Sequence, residues 1–222
     1  MITTLKRDTP YPWDYTSKYF EKTFIKDLAK SLSNHMENPS AISALMDDIS
    51  NTAQTIFFRN LGFVEDRASQ LNFLMTSYLL ASYMHLKQLS LNIEVKALLS
   101  SVFKGVGAFW IKWPVRISLY FSKDRLATLK RASIDRTRVA YGSTFQIDME
   151  ESGQKGFVSV VKKCGYFDFF KRENAAELTQ LMCDWDWNWA AEIKETKHKV
   201  RFSRPQTIAE GSDCCRFEFF RC

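Results

Sequence analysis

The sequence predicts an α+β fold: a helical N-terminal region packed on a small antiparallel sheet of C-terminal hairpins with inserted helices. Three observations carry this. Apolar residues recur at spacings of three and four through the first two-thirds of the chain. Strict alternation begins only after residue 141, where Phe145, Ile147 and Met149 interleave with Gln146, Asp148 and Glu150. The 222 residues are 45% hydrophobic, enough for a large core without disulfide or metal staples. That content, with only 8 Gly and 5 Pro, excludes disordered, collagenous and low-complexity classes. We read residues 1–140 as a mainly helical region and 141–222 as an α+β region, the two forming one continuous domain.

The elements follow in order. Residues 13–32 carry Tyr15, Tyr19, Phe20, Phe24, Ile25 and Leu28 at helical spacing. Asn38-Pro39 is a start signal, Asn as N-cap and Pro at the first helical position. The helix it opens carries Ile42, Leu45, Met46, Ile49, Ala53 and Ile56, and Gly62 ends it. Residues 65–89 are apolar around most of the circumference, which predicts a buried central helix. A shorter helix spans 92–103. Gly105 and Gly107 interrupt, Pro114 marks a turn or helix start, and 118–132 reads as one basic amphipathic helix. Residues 145–149 and 157–163 predict a hairpin closed by Gly153 and Gly156. Helices are expected over 166–171 and 175–193, the second opened by Asn174 with Glu177 in a capping-box pattern. Extended stretches at 198–208 and 214–221 complete a second hairpin.

Charge narrows the partners. The net charge is +6, and eight of the basic residues fall between Lys112 and Arg138 against only Asp124 and Asp135. Such a segment is either a solvated helix face or an attractor of anionic surfaces. No nucleic-acid motif accompanies it, so nucleic acid is not the expected partner. There is no apolar leader in the first 13 residues and no run of about 18 apolar residues. The reading is a soluble, cytoplasmic chain with reduced thiols and no transmembrane segment.

The informative constellation is C-terminal. Lys163-Cys164-Gly165-Tyr166 closes a strand, Cys183-Asp184-Trp185-Asp186 lies in a helix, and Thr207-Ile208-Ala209-Glu210-Gly211 precedes Cys214-Cys215-Arg216-Phe217. This order resembles the L-2-amino-thiazoline-4-carboxylic acid hydrolase family. The resemblance rests on a strand ending in Cys, a helix with C-x-x-D, and a closing T-I-x-E-G-x-x-x-C-x-F hairpin. It implies a hydrolase, or a related ring-opening or ring-forming enzyme, acting on a small S/N-containing heterocycle such as a thiazoline carboxylate. A place in specialised metabolism is a variant of that reading. Some relatives have His where this chain has Cys214; if that His serves them as base or proton shuttle, this chain lacks it, and the substrate and the hydrolysis itself are then open.

Residue chemistry gives each position a role. Alternation sets Cys215 beside Phe217 and Phe219 on an apolar face, with Cys214 opposite. The same count sets Cys164 with Val158 and Val160. Cys183 and Asp186 are three apart on a helix and therefore neighbours. If strands and helix pack face to face, Cys164, Cys183, Asp186 and Cys215 converge. Asp186 then suits proton transfer, and Cys183 or Cys215 suits nucleophilic attack if its pKa is lowered. Arg201 and Arg204 are candidates for a substrate carboxylate, with Thr207, Glu210 and Trp187 as further binding residues. Each has a structural alternative: buried Cys acts as a small hydrophobe, and Glu210-Gly211 makes a turn. The thiol spacing fits no common zinc site, so neither metal nor cofactor is expected. The competing function is a non-catalytic small-molecule binding module of the same fold.

Overall fold

The structure is a computed structural model that describes residues 15–89 and 92–222. Helix α1, Tyr15–Leu32, buries Phe20, Phe24, Leu28 and Leu32; the two residues expected to precede it lie outside the described residues. Helix α2, Pro39–Asn60, starts as the sequence predicts, with the Asn38 side chain accepting from the amides of Ser40 and Ala41. Its six periodic apolar residues are all buried. Helix α3, Arg67–Gln88, is the central one, with thirteen buried residues. Its ring contacts, Tyr78 to Phe20 and Phe24 and Phe73 to Phe169, tie the N-terminal helices to the C-terminal region. Helix α4, Val95–Gly105, completes this half with Leu99, Val102 and Phe103.

The next stretch departs from expectation. Pro114 lies inside helix α5, Ala108–Phe121. Proline removes the N–H that would reach the Trp110 carbonyl, yet Pro114 is on the exposed side, where water can satisfy that group. The helix expected over 118–132 is two helices. Ser122 is extended, and the Asp124 side chain caps a new helix α6, Arg125–Arg136, by accepting from the Ala127 amide at 3.1 Å. A π-helical turn, Thr137–Tyr141, follows and stops at Gly142, whose φ is 70°. A Cβ there would lie 2.2 Å from the carboxylate of Asp66, so only glycine fits. Asp66 caps α3 and also takes the Ser143 amide at 2.6 Å. Although burial opposes the charge, these Ser143 and Ser69 hydrogen bonds hold Asp66 down at about 2.

The sheet is one antiparallel layer of β1 (Gln146–Glu151), β2 (Gly156–Lys163), β3 (Val200–Ser203) and β4 (Cys215–Arg221), in the order β1-β2-β4-β3. Both expected hairpins are present, and the β2–β4 pairing fuses them. In register, Phe157, Ser159 and Val161 stand opposite Phe219, Phe217 and Cys215 and share the face toward the helices. Val158 and Val160 face the other way, buried beneath charged side chains joined as Arg216–Glu150 and Lys162–Asp148. This corrects the alternation inferred for Cys164. It does not share a face with Val158 and Val160; it stands beyond the strand as N-cap residue of helix α7, Gly165–Arg172, and enters the core through that turn.

The capping box is also corrected. Asn174 adopts φ 54° and closes α7 instead of opening the next helix. The Ala175 amide donates to the Phe170 carbonyl at 2.8 Å and the Asn174 amide to that of Lys171 at 3.2 Å, a Schellman pair. Helix α8 is then Thr179–Ala190, preceded by a 3-10 turn, Ala176–Leu178. A short helix α9, Glu195–His198, leads to β3. Trp189 of α8 packs with Leu119, Leu126 and Leu129 over Phe157 and Phe219.

Candidate functional site

The site forms where the end of the sheet meets α7 and α8. Cys215 opens β4 directly opposite Val161, and Cys164 follows β2 three residues later, so the two thiols occupy the same end of adjacent strands. Cys183 and Asp186 come down from α8, one helical turn apart. The four residues lie close enough that Cys183 feels the charges of Cys215 and Asp186, and Cys164 those of Cys183 and Cys215. Asp184, between them in sequence, faces α4 instead, where it accepts from Ser100 at 3.1 Å and pairs with Lys104.

Asp186 is held through one oxygen. Its Oδ1 accepts from the Tyr141 hydroxyl at 3.0 Å and from the Trp189 indole N–H at 3.1 Å. Among the described residues no hydrogen bond is made to Oδ2. Burial, and then the charge of Asp186, pushes the Tyr141 phenol well above its ordinary value, so it stays a donor. Arg136 stacks on Trp189 at 4.1 Å beside this hydroxyl. Tyr166 lies behind the cluster, its hydroxyl donating to Asn72 Oδ1 at 3.1 Å, while Asn72 donates to the Ala140 carbonyl at 2.8 Å. Tyr141, Tyr166, Arg136 and Asn72 were not among the residues expected from sequence. Trp189 stands three residues from Asp186, a spacing that signals it; Tyr141 is 45 residues away and carries no local signal.

The three thiols are not equivalent. Burial pushes all of them up: Cys183 to about 12, Cys164 further, and Cys215 in the same direction. None of the three has the lowered value that the nucleophile reading called for, but two groups oppose burial at Cys215. The Ile208 amide donates to its Sγ at 3.2 Å, and the Arg204 guanidinium favours its thiolate. The T-I-x-E-G motif explains the first. The Thr207 hydroxyl donates to the Glu210 carboxylate at 2.7 Å and accepts from the Glu210 amide at 3.2 Å. That clasp builds the 3-10 turn, Ile208–Glu210, which aims the Ile208 N–H at sulfur. Thr207 is itself buried and Glu210 exposed.

Arg204 and Trp187 also reach the site. Arg204 donates to the Cys183 carbonyl at 3.3 Å and stacks between Trp187, at 4.9 Å, and Phe217, at 5.7 Å. Arg201 does not join them; it is exposed on β3, opposite Phe220 in register and beside Cys222. Cys214 faces away from the cluster, its sulfur accepting from the Gln206 side chain at 3.2 Å. Against the cluster is a cavity of about 20 Å³, walled by Arg136, Tyr141, Ser159, Trp189 and Phe217. It is the size of one water. The thiols and Asp186 stand behind its wall rather than in it.

Fold and site together define an α+β protein with a half-buried carboxylate, three thiols and a phenol at one end of its sheet. Residues 115–219 match the family model of L-2-amino-thiazoline-4-carboxylic acid hydrolase, so the family resemblance of the C-terminal motifs is shown over that segment. Every residue of the cluster except Asn72 falls inside the match. No curated protein matches the chain.

Proposed function

We propose that the protein hydrolyses a small sulfur- and nitrogen-containing heterocycle, a thiazoline carboxylate or a relative of one. The observation that carries this is the convergence of Asp186 with Cys164, Cys183 and Cys215 beside Arg204, within the segment that matches the hydrolase family. In this reading Cys215 is the nucleophile, because it alone combines the Ile208 amide with Arg204. Its sulfur bonds to the ring carbon between nitrogen and sulfur as its proton passes to Asp186 Oδ2. Asp186 returns that proton to the ring heteroatom as the bond from heteroatom to carbon breaks. Water then adds to the same carbon, the bond to Cys215 breaks, and the thiol is restored through Asp186; one water is consumed. Arg204 suits the substrate carboxylate, and Tyr141 and Trp189 fix the Asp186 rotamer.

The test is turnover of a 2-aminothiazoline carboxylate by Cys215→Ala and Asp186→Asn, with Cys164→Ala and Cys183→Ala beside them. The first two should lose at least about a hundredfold in kcat while keeping the fold. Wild-type turnover in all four overturns the proposal. The raised thiols favour one second reading, a binding module without chemistry. It requires that mass spectrometry find the heterocycle bound and no product formed.

A further inference from the structure

Helix α5 presents its greasiest side to solvent. Phe109, Trp110, Trp113, Ile117, Tyr120 and Phe121 are all exposed, from 41% at Ile117 to 77% at Phe121. At 100° per residue they form one stripe about 120° wide, opposite the buried Leu119. The rings are already stacked on one another, Phe109 on Trp113 at 5.8 Å and Tyr120 against Phe121 at 5.0 Å. An exposed patch of this kind marks an interaction surface.

The rim of the stripe is cationic. Lys197 sits over the Tyr120 ring at 5.9 Å, and a groove beside it is lined by Trp113, Ile117, Tyr120, Lys194 and Lys197. The one carboxylate there, Glu192, is bonded to Arg116 at 2.9 Å and faces Lys194 and Lys112 as well. Three cations around one anion leave the rim positive. Among the described residues no helix is long and apolar enough to cross a membrane, and 14 residues of helix extend only about 21 Å. A short helix with Trp, Tyr and Phe on one side and Lys and Arg at its rim has the composition of one lying in the plane of a bilayer interface.

We propose that α5 docks the protein on an anionic lipid surface, its aromatic stripe in the headgroup region and Lys112, Arg116, Lys194 and Lys197 against lipid phosphates and carboxylates. This does not depend on the hydrolase reading; the surface and the cluster can be tested apart.

The experiment is co-sedimentation of the full chain with vesicles of phosphatidylcholine, with and without about 30 mol% phosphatidylserine. Binding is expected to the anionic vesicles, to weaken as salt rises, and to shift tryptophan emission to the blue. Trp110→Ser with Trp113→Ser should abolish it, and Lys194→Glu with Lys197→Glu should weaken it about tenfold; far-UV circular dichroism confirms folding of each variant. Absence of binding, or equal binding to both vesicle types, overturns the proposal. So does a concentration-dependent dimer in ultracentrifugation that the tryptophan pair abolishes, if vesicles are not bound, because a second copy is then what covers the stripe.

Discussion

At the scale of single residues, the site is an electrostatic arrangement in which burial and hydrogen bonding pull thiols in opposite directions. Cys183 is the most measurable case. Its ordinary thiol value is raised by burial to about 12, with Arg204 opposing. A thiol raised on folding keeps its proton in the folded state after the unfolded chain has lost it. Its contribution to stability is therefore complete below the unfolded value, about 8.5, and is lost as pH climbs from there toward 12. We expect urea midpoints to fall between pH 8 and 10 in the wild type, and to fall less steeply in Cys183→Ala by up to about 1.4 kcal/mol per pH unit. Parallel slopes would contradict the burial of that thiol. Sequence made part of this site legible. Cys183 and Asp186 share a helical face at a spacing of three, and Cys215 follows from alternation with Phe217 and Phe219. Cys164 arrives by a different route, a helix cap, and the Asp186 partner Tyr141 is supplied by a turn far away in the chain. Pairings of that kind are set by packing, which no local pattern encodes.

At the scale of elements, helix ends decide the geometry. Asn174 is in the left-handed region, where glycine is unstrained. Asn174→Gly should be neutral or slightly stabilising, and Asn174→Ala should cost about 1 kcal/mol in chemical denaturation. A reversed order would restore the N-cap role that its sequence context suggests. Both roles use the same residue type, so composition alone does not choose between them; the two main-chain bonds at the end of α7 do. Asn38 shows the opposite case, because the proline after it suits the first turn of a helix and the Asn38 side chain accepts from the Ser40 and Ala41 amides. Asp66 ties the start of α3 to the turn formed by Gly142 and Ser143. Its carboxyl is held low on folding, so the stability it contributes is present above about pH 4 and is lost as pH falls toward 2. Asp66→Asn should thus be destabilised at pH 7 and converge with the wild type near pH 2, followed by thermal melts across that range.

At the scale of the whole molecule, one apolar cluster runs from α1 through α4 to Val161, Cys164 and Cys215, and a second lies between the sheet and α5, α6 and α8. Phe217 packs against both. We expect residues 1–140 and 141–222 to unfold in one transition, with far-UV dichroism and tryptophan fluorescence superimposing across urea. Two separated transitions would divide the chain into independent domains. Helical periodicity and strand alternation carried the broad architecture because burial on one side imposes both. The fusion of the two hairpins through β2 and β4 rests on contacts distant in sequence and needed the structure.

The strand order has a further consequence for assembly. The outermost strands are β1 and β3. β1 carries Asp148, Glu150 and Glu151 within six residues. Asp148 is paired with Lys162, Glu150 with Arg216 and Glu151 with Lys130, so a second copy that tried to add its own β1 alongside would meet a charged, ion-paired edge. β3, at four residues, offers too short a template for stable pairing. The sheet is thus insulated at both margins against growth from chain to chain, and open-ended polymerisation through its backbone is disfavoured even where other surfaces are adhesive.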